Sequence, residues 1–279
     1  MLAFLSLVCA SGFGMTPCDL ETENGEVEVI EWPNNPVGVS LCTSIITPSG
    51  LDGPSKAVLM LHGLGDSPNS WGREGVVELW LSAMDSGDIP PMRIILIQGN
   101  KGYWSNQISG TEQYRDWVLW AMTQLIQTNE IQGSGHHILG VSMGGFGALS
   151  IGLSAPHLFS SISALSPTDL SIATKATPKN SVYTHVFGAP IVRPYLAALD
   201  PRELLLRGEG HSQSISIVVG SEEPPKFLRG VQRIEALLPE YSLDLEVKKV
   251  EGGCHCWQNT WSAPSNQWLI GRLSDSLEQ

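Results

Sequence analysis

Short, nearly continuous apolar runs recur along the chain at Ala57–Leu61, Ile94–Ile97, Ile138–Val141, Ile162–Leu165 and Ile215–Val219. Runs this short and this uniformly apolar predict strands covered on both faces, because a strand with one wet face would alternate. Between them the period changes. Val77, Trp80, Leu81 and Met84 follow the i, i+3, i+4, i+7 spacing that gathers side chains on one helix face, and Phe227, Val231, Ile234 and Leu238 repeat a helical spacing. Strand and helix in alternation predict a mostly parallel sheet flanked by helices and wound by right-handed crossovers.

Upstream, Val27–Ile30 and Val39–Thr47 flank the Pro- and Asn-rich turn Pro33–Pro36 and predict an antiparallel leading edge. Leu243–Val247 alternates apolar and charged residues, as an edge strand would, and a terminal helix around Trp261–Leu273 closes the fold. One stretch breaks the alternation. Thr168–Gly210 is too long for a simple loop and rich in Pro, Gly and polar residues, so it is expected to form a cap-like insertion over the carboxyl edge of the sheet, where sites in open α/β sheets form. At 279 residues and 42% hydrophobic, the chain can bury one substantial core, and a single α/β domain over residues 15–279 is expected, with the insertion at 168–210.

Lys and Arg total 16 against 28 Asp and Glu, a formal charge of -12 that repels a phosphate backbone and argues against a nucleic-acid partner. No stretch reaches the roughly 18 apolar residues of a membrane span. Residues 1–14 are signal-like: Leu2–Ala10 is apolar and is followed by Ser11, Gly12 and Gly14, yet no Lys or Arg precedes Lys56, so the basic leader region is missing. Secretion or a periplasmic location and a cytoplasmic one both stay open. Besides Cys9 the chain has Cys18, Cys42, Cys254 and Cys256, which allow three disulfide pairings in an oxidising compartment. The sequence carries no signal for oligomeric state.

The chemistry concentrates at Gly140-Val141-Ser142-Met143-Gly144, where an apolar strand run meets the helix-compatible run Gly144–Ala155. The pentapeptide alone would arise by chance in about one chain of three at this Gly and Ser content. Its position between strand and helix is what makes it a nucleophile elbow, with Ser142 projecting from a sharp turn. A serine hydroxyl needs a base, and the base needs a steering acid. Of seven histidines, His62 reads as part of an oxyanion loop, His136 and His137 begin a strand, and His157 lies beyond the nucleophile helix. His185 and His211 fall in or beside the insertion, where a solvated role is commoner. His255, on the loop after the last strand, occupies the place of the base in the order Ser, acid, His.

The acid is expected after Ile215–Val219, where Gly220-Ser221-Glu222-Glu223 offers two carboxylates of which only one can face the histidine. Glu223 is favoured, with Glu222 and then Asp169 as alternatives. The amides of Leu64, in His62-Gly63-Leu64-Gly65, and of Met143 are expected to hold the oxyanion. Cys254 and Cys256 flank His255, but a zinc site needs three or four suitably spaced ligands and no second cluster supplies them, so no metal is expected. A disulfide pinning that loop fits an exported chain better. Of nine tryptophans, Trp104 and Trp257 are placed near a substrate, and most of the others are expected to pack.

His62-Gly63-Leu64-Gly65-Asp66-Ser67, then Gly140 to Leu149, Asp200-Pro201, the Gly220–Glu223 turn and His255-Cys256-Trp257 together resemble esterases of the esterase D type, a group that includes S-formylglutathione hydrolases, tributyrin esterases and feruloyl esterases. The resemblance spans roughly residues 55–270, and the elbow with its Gly-Gly-Phe-Gly-Ala continuation is its most specific part. It implies an α/β-hydrolase fold and cofactor-free ester hydrolysis. The chain departs from the family in carrying Glu where the acid is commonly Asp, and in a Trp257–Trp261 spacing one residue wider than usual. His62–Ser67 equally resembles acyl-protein thioesterases. A serine carboxylesterase acting on short-chain or aromatic acyl esters, small molecules in either case, is therefore expected. An acyltransferase or acyl thioesterase of the same fold and a non-catalytic binding module are the alternatives.

Overall fold

The computed structural model describes residues 16–170 and 181–277. Eight strands form one sheet: β1 (Gly25–Trp32), β2 (Leu41–Pro48), β3 (Ala57–Leu61), β4 (Arg93–Ile97), β5 (His136–Val141), β6 (Phe159–Leu165), β7 (Ser214–Gly220) and β8 (Leu245–Val250). Their spatial order is β1-β2-β4-β3-β5-β6-β7-β8. β1 and β2 pair antiparallel, as does β2 with β4, and every pair from β4 to β8 is parallel. This is the α/β-hydrolase fold with its antiparallel leading edge.

The continuous apolar runs are explained by two cores, one on each face. In β3, Leu59 and Leu61 feed one core while Val58 and Met60 feed the other, and β4 divides Ile95 and Ile97 from Ile94 and Leu96 in the same way. Alternation of side chains across a strand makes both faces apolar only if both are covered. The first core is closed by α3 (Tyr114–Gln127) and α4 (Met143–Ser154), the second by α2 (Val76–Asp85) and α9 (Ala263–Leu277), with α1 (Ser70–Arg73) beside it. α8 (Pro225–Glu235) buries Phe227, Val231 and Ile234 as its spacing predicts, while Leu238, the fourth position of that pattern, falls past the helix end and is only partly buried.

Two elements differ from expectation. Helix α3 is not among those the spacing names, although Tyr114, Trp117, Val118, Ala121, Met122 and Leu125 form its buried stripe. Leu119, Trp120 and Ile126 lie outside that stripe and are only partly buried, which blurs the contrast between faces. The last strand begins two residues later than Leu243 and runs to Val250, pairing only with β7 and so forming the sheet edge.

Of the stretch from 168 to 210, the described residues include α5 (Val182–Phe187), α6 (Arg193–Leu199) and α7 (Pro201–Leu206), and α7 packs on α4 and α8. α5 meets the loop after β4, where the Ile108 amide donates to the Val186 carbonyl at 3.0 Å. The signal-like residues 1–14 and positions 171–180 lie outside the described residues. Among the described residues, no helix is long and apolar enough to cross a membrane.

Candidate active site

Strand β5 ends at Val141 and α4 begins at Met143, so Ser142 makes the whole turn, with φ 57° and ψ −111°. Such a conformation costs a non-glycine residue about 1–3 kcal/mol and persists only where its surroundings hold it. They do so here. The Ser142 amide donates to the Leu165 carbonyl at 2.8 Å, and its carbonyl accepts from Thr168 at 3.2 Å and Phe146 at 3.0 Å. The glycines of the pentapeptide are steric necessities: a Cβ on Gly140 would sit 2.0 Å from the Gly144 carbonyl oxygen, and one on Gly144 would sit 1.9 Å from that of Leu61.

Ser142 Oγ lies 2.8 Å from Nε2 of His255, and Nδ1 of His255 lies 2.7 Å from Oε2 of Glu223. A carboxylate can only accept, so Nδ1 carries the proton it donates to Glu223, which leaves Nε2 as an acceptor for the Ser142 hydroxyl. The Glu223 side chain is fully buried and that of His255 is 21% exposed, so the imidazole alone of the two can meet a substrate. Glu222, in contrast, is exposed, and Asp169 is turned to Arg233, which donates to it at 2.8 Å. The structure thus brings Ser142, His255 and Glu223 together and leaves both alternative acids apart.

Loop packing fixes this arrangement. A Cβ on Gly220 would lie 2.1 Å from the Gly253 carbonyl oxygen, and the Glu222 amide donates to that same oxygen at 2.9 Å, so the acid and histidine loops run in direct backbone contact. Cys254 and Cys256 are joined by a disulfide on either side of His255, and Cys18 pairs with Cys42. Phe227 stacks on the His255 ring at 3.9 Å between centroids and Trp261 meets it edge-on at 4.7 Å. The second carboxylate oxygen of Glu223 accepts from the Gly220 amide at 3.0 Å and from the Ser166 hydroxyl, which itself accepts from the Trp261 indole at 2.7 Å. Ser166 carried no signal in the sequence, since it reaches the acid from the turn after β6, far away in the chain, and Phe227 was legible only as part of a buried helix stripe.

On the other side of Ser142, the Gly63 backbone passes so close that an added Cβ would lie 3.7 Å from that of Ser142. The Leu64 and Met143 amides donate no hydrogen bond to any described residue. The Met143 amide opens α4, where unpaired N–H groups and the helix dipole favour negative charge. His62 is buried and braces this loop: Nδ1 donates to the Gly63 carbonyl at 2.8 Å and Nε2 accepts from the Gly99 amide at 3.0 Å. Burial lowers its pKa to about 4, so it stays neutral, and with both ring nitrogens tied to backbone groups it has no free lone pair to take the Ser142 proton. His137 is likewise buried, with its pKa lowered to about 3, and stacks on Trp80.

The two tryptophans expected near a substrate separate. Trp257 is partly exposed and donates to Asp66 at 3.3 Å, which links the histidine loop to the loop carrying Leu64. Trp104 is 1% exposed, its indole N–H bonded to the His62 carbonyl at 3.2 Å and its ring filling space left by Gly99 and Gly147. It is a core residue behind the oxyanion-side loop, not a wall of an open cleft. Among the described residues, no group of three His, Cys, Asp or Glu side chains could hold a metal ion.

A mostly parallel sheet with this elbow at the carboxyl end of β5 defines a serine hydrolase of the α/β-hydrolase fold. The chain belongs to the esterase family described as "Putative esterase", whose model matches residues 43–271, and is a serine ester hydrolase. Solved structures similar to it include FphF, a fluorophosphonate-binding serine hydrolase of Staphylococcus aureus, at 16% identity over 88% of this chain and 99% of that one, TM-score 0.72. An S-formylglutathione hydrolase from Agrobacterium tumefaciens follows at 18% identity, covering 92% and 95%, TM-score 0.70. The ferulic acid esterase AmCE1/Fae1A of Anaeromyces mucronatus has 18% identity, covering 90% and 93%, TM-score 0.65. These identities make the likeness one of fold. No curated protein matches the chain in sequence.

Proposed function

We propose that the enzyme hydrolyses short-chain or aromatic acyl esters through a Ser142-His255-Glu223 triad and an acyl-enzyme intermediate. Ser142 Oγ attacks the ester carbonyl carbon as its proton passes to His255 Nε2, and the imidazolium is held by Glu223. The carbonyl oxygen gathers negative charge and takes hydrogen bonds from the Leu64 and Met143 amides, which donate to no described residue. His255 then returns the proton to the leaving alkoxide as the C–O bond breaks. Water enters with His255 again as base, and the acid product leaves with Ser142 restored. No cofactor takes part.

The observation that carries this reading is the unbroken line of 2.8 and 2.7 Å contacts from Ser142 through His255 to a buried carboxylate. The substrate class draws on the acyl esters and thioesters named for the structurally similar hydrolases. Within the stretch 168–210, the described helices α5, α6 and α7 are read as the cap that shapes the acyl pocket. The two disulfides favour an oxidising compartment for the enzyme. The test is turnover of 4-nitrophenyl acetate, 4-nitrophenyl butyrate, methyl ferulate and S-formylglutathione by the wild type and by Ser142→Ala. Saturable, Ser142-dependent hydrolysis of one or more oxygen esters supports the proposal. Exclusive use of the thioester, or release of acyl-glycerol outrunning free acid when glycerol is added, moves the assignment to a thioesterase or acyltransferase.

A further inference from the structure

We propose that Trp261 and Ser166 are positioning residues that form a directional relay, Trp261 N–H to Ser166 O–H to Glu223, locking the acid toward His255. This inference rests on the triad reading above. A glutamate has one more torsion than the aspartate common at this position, and its terminal carboxylate torsion is broad. Glu223 therefore needs more restraint than its backbone supplies.

The restraint falls on one oxygen. Oε1 accepts from the Gly220 amide at 3.0 Å and from the Ser166 hydroxyl, which leaves Oε2 for His255 at 2.7 Å. Against a carboxylate the Ser166 hydroxyl has to donate, which leaves its oxygen free to accept. The Trp261 indole is a donor only. Placed 2.7 Å from Ser166 Oγ, it occupies the accepting side and turns the one serine proton toward the carboxylate. Ser166 is 0% exposed and Trp261 8% exposed, so water offers neither of them an alternative partner.

Backbone geometry gives the relay a second purpose. Ser166 adopts φ 49°, a left-handed conformation for a residue with a Cβ, and its amide donates to the Val218 carbonyl of β7 at 2.7 Å. Its neighbours in the same turn grip Ser142, the Leu165 carbonyl accepting from its amide and the Thr168 amide donating to its carbonyl. One turn after β6 therefore holds the nucleophile by its backbone and the acid by a side chain. The Trp261 ring also meets the His255 ring, so the relay touches all three members of the triad or their direct supports.

The test uses Ser166→Gly and Trp261→Phe on the full chain with 4-nitrophenyl acetate. Glycine takes φ 49° without strain and loses the whole hydroxymethyl group, while phenylalanine keeps a ring against His255 and loses the N–H. In each variant kcat is expected to fall about 10- to 100-fold, the scale of a small misplacement of reacting groups, with KM within about twofold. The downfield proton resonance of the His255–Glu223 hydrogen bond should shift or broaden in both. The double variant should be no slower than Ser166→Gly, because the two groups act in series. Wild-type kcat in both variants, or losses that simply multiply in the double variant, would overturn the relay while leaving the triad intact. Undiminished turnover by Ser142→Ala would instead overturn the triad itself.

Discussion

Glu223 reaches Nδ1 of His255 at 2.7 Å with its side chain fully buried, while Glu222, one residue earlier, points to solvent. Adjacent residues of one turn are thereby split into a steering acid and a surface charge. Glu223→Gln is expected to lower kcat by about 10³- to 10⁴-fold, since a neutral amide neither stabilises the imidazolium nor fixes the tautomer. Glu222→Gln should leave kcat and KM at wild-type values. Asp169→Asn should retain activity and lose about 1–3 kcal/mol of stability, because it weakens the charged bond to Arg233. Steady-state kinetics and denaturant unfolding of the three variants check this. Near-wild-type kcat in Glu223→Gln would remove Glu223 from the triad.

Much of this site was legible before the structure. The five buried strands showed themselves because coverage on both faces leaves no room for alternation, and the elbow because its glycines answer to contacts of about 2 Å. What escaped has physical reasons too. Trp104 follows the carboxyl end of β4, where cleft residues gather, but Tyr103 and Trp104 both take positive φ, 53° and 51°, and swing the indole inward against Gly99 and Gly147. Ser166 is a small polar residue after a strand, ordinary in sequence, and only its contacts with Trp261 and with Val218 of β7 make it a partner of Glu223. Disulfide pairing was open in sequence because four cysteines allow three connectivities, and proximity alone chooses.

The two disulfides should separate in their effects. Cys18–Cys42 closes a loop between residues 24 apart, so by chain entropy its loss through Cys18→Ser with Cys42→Ser should cost about 3 kcal/mol of stability. Activity at 25 °C should survive, as this bridge ties the N-terminal arm to β2, far in the chain from the triad. Cys254–Cys256 spans only two positions and restrains little of the unfolded chain, but it brackets His255. Its removal by Cys254→Ser with Cys256→Ser should lower kcat about tenfold through a looser base, on the scale of a small misplacement, with little loss of stability. Thermal unfolding and steady-state kinetics on both pairs provide the check. A reversed pattern, with the first pair governing kcat and the second stability, would contradict this assignment.

Acid should destabilise the fold through buried histidines remote from protonatable solvent. Burial lowers the pKa of His62 to about 4 and of His137 to about 3, both from 6.5. The unfolded chain therefore binds protons below about pH 6.5 that the folded chain refuses. Stability should be full above that pH and fall as pH drops through 6.5 toward 4 and then 3, by up to about 1.4 kcal/mol per pH unit for each histidine. Urea unfolding between pH 7.5 and 4.5 measures the slope. His137→Gln, which lies away from Ser142 and beside Trp80, should flatten it; an unchanged slope in that variant would exclude His137 as a source.

Reaction with a fluorophosphonate, followed by intact mass and peptide mapping, tests the nucleophile most directly. One adduct is predicted per chain, on the peptide that carries Ser142, with loss of ester hydrolysis in step with labelling and no adduct on Ser142→Ala. An adduct on another serine, or full hydrolytic activity in Ser142→Ala, would contradict the account.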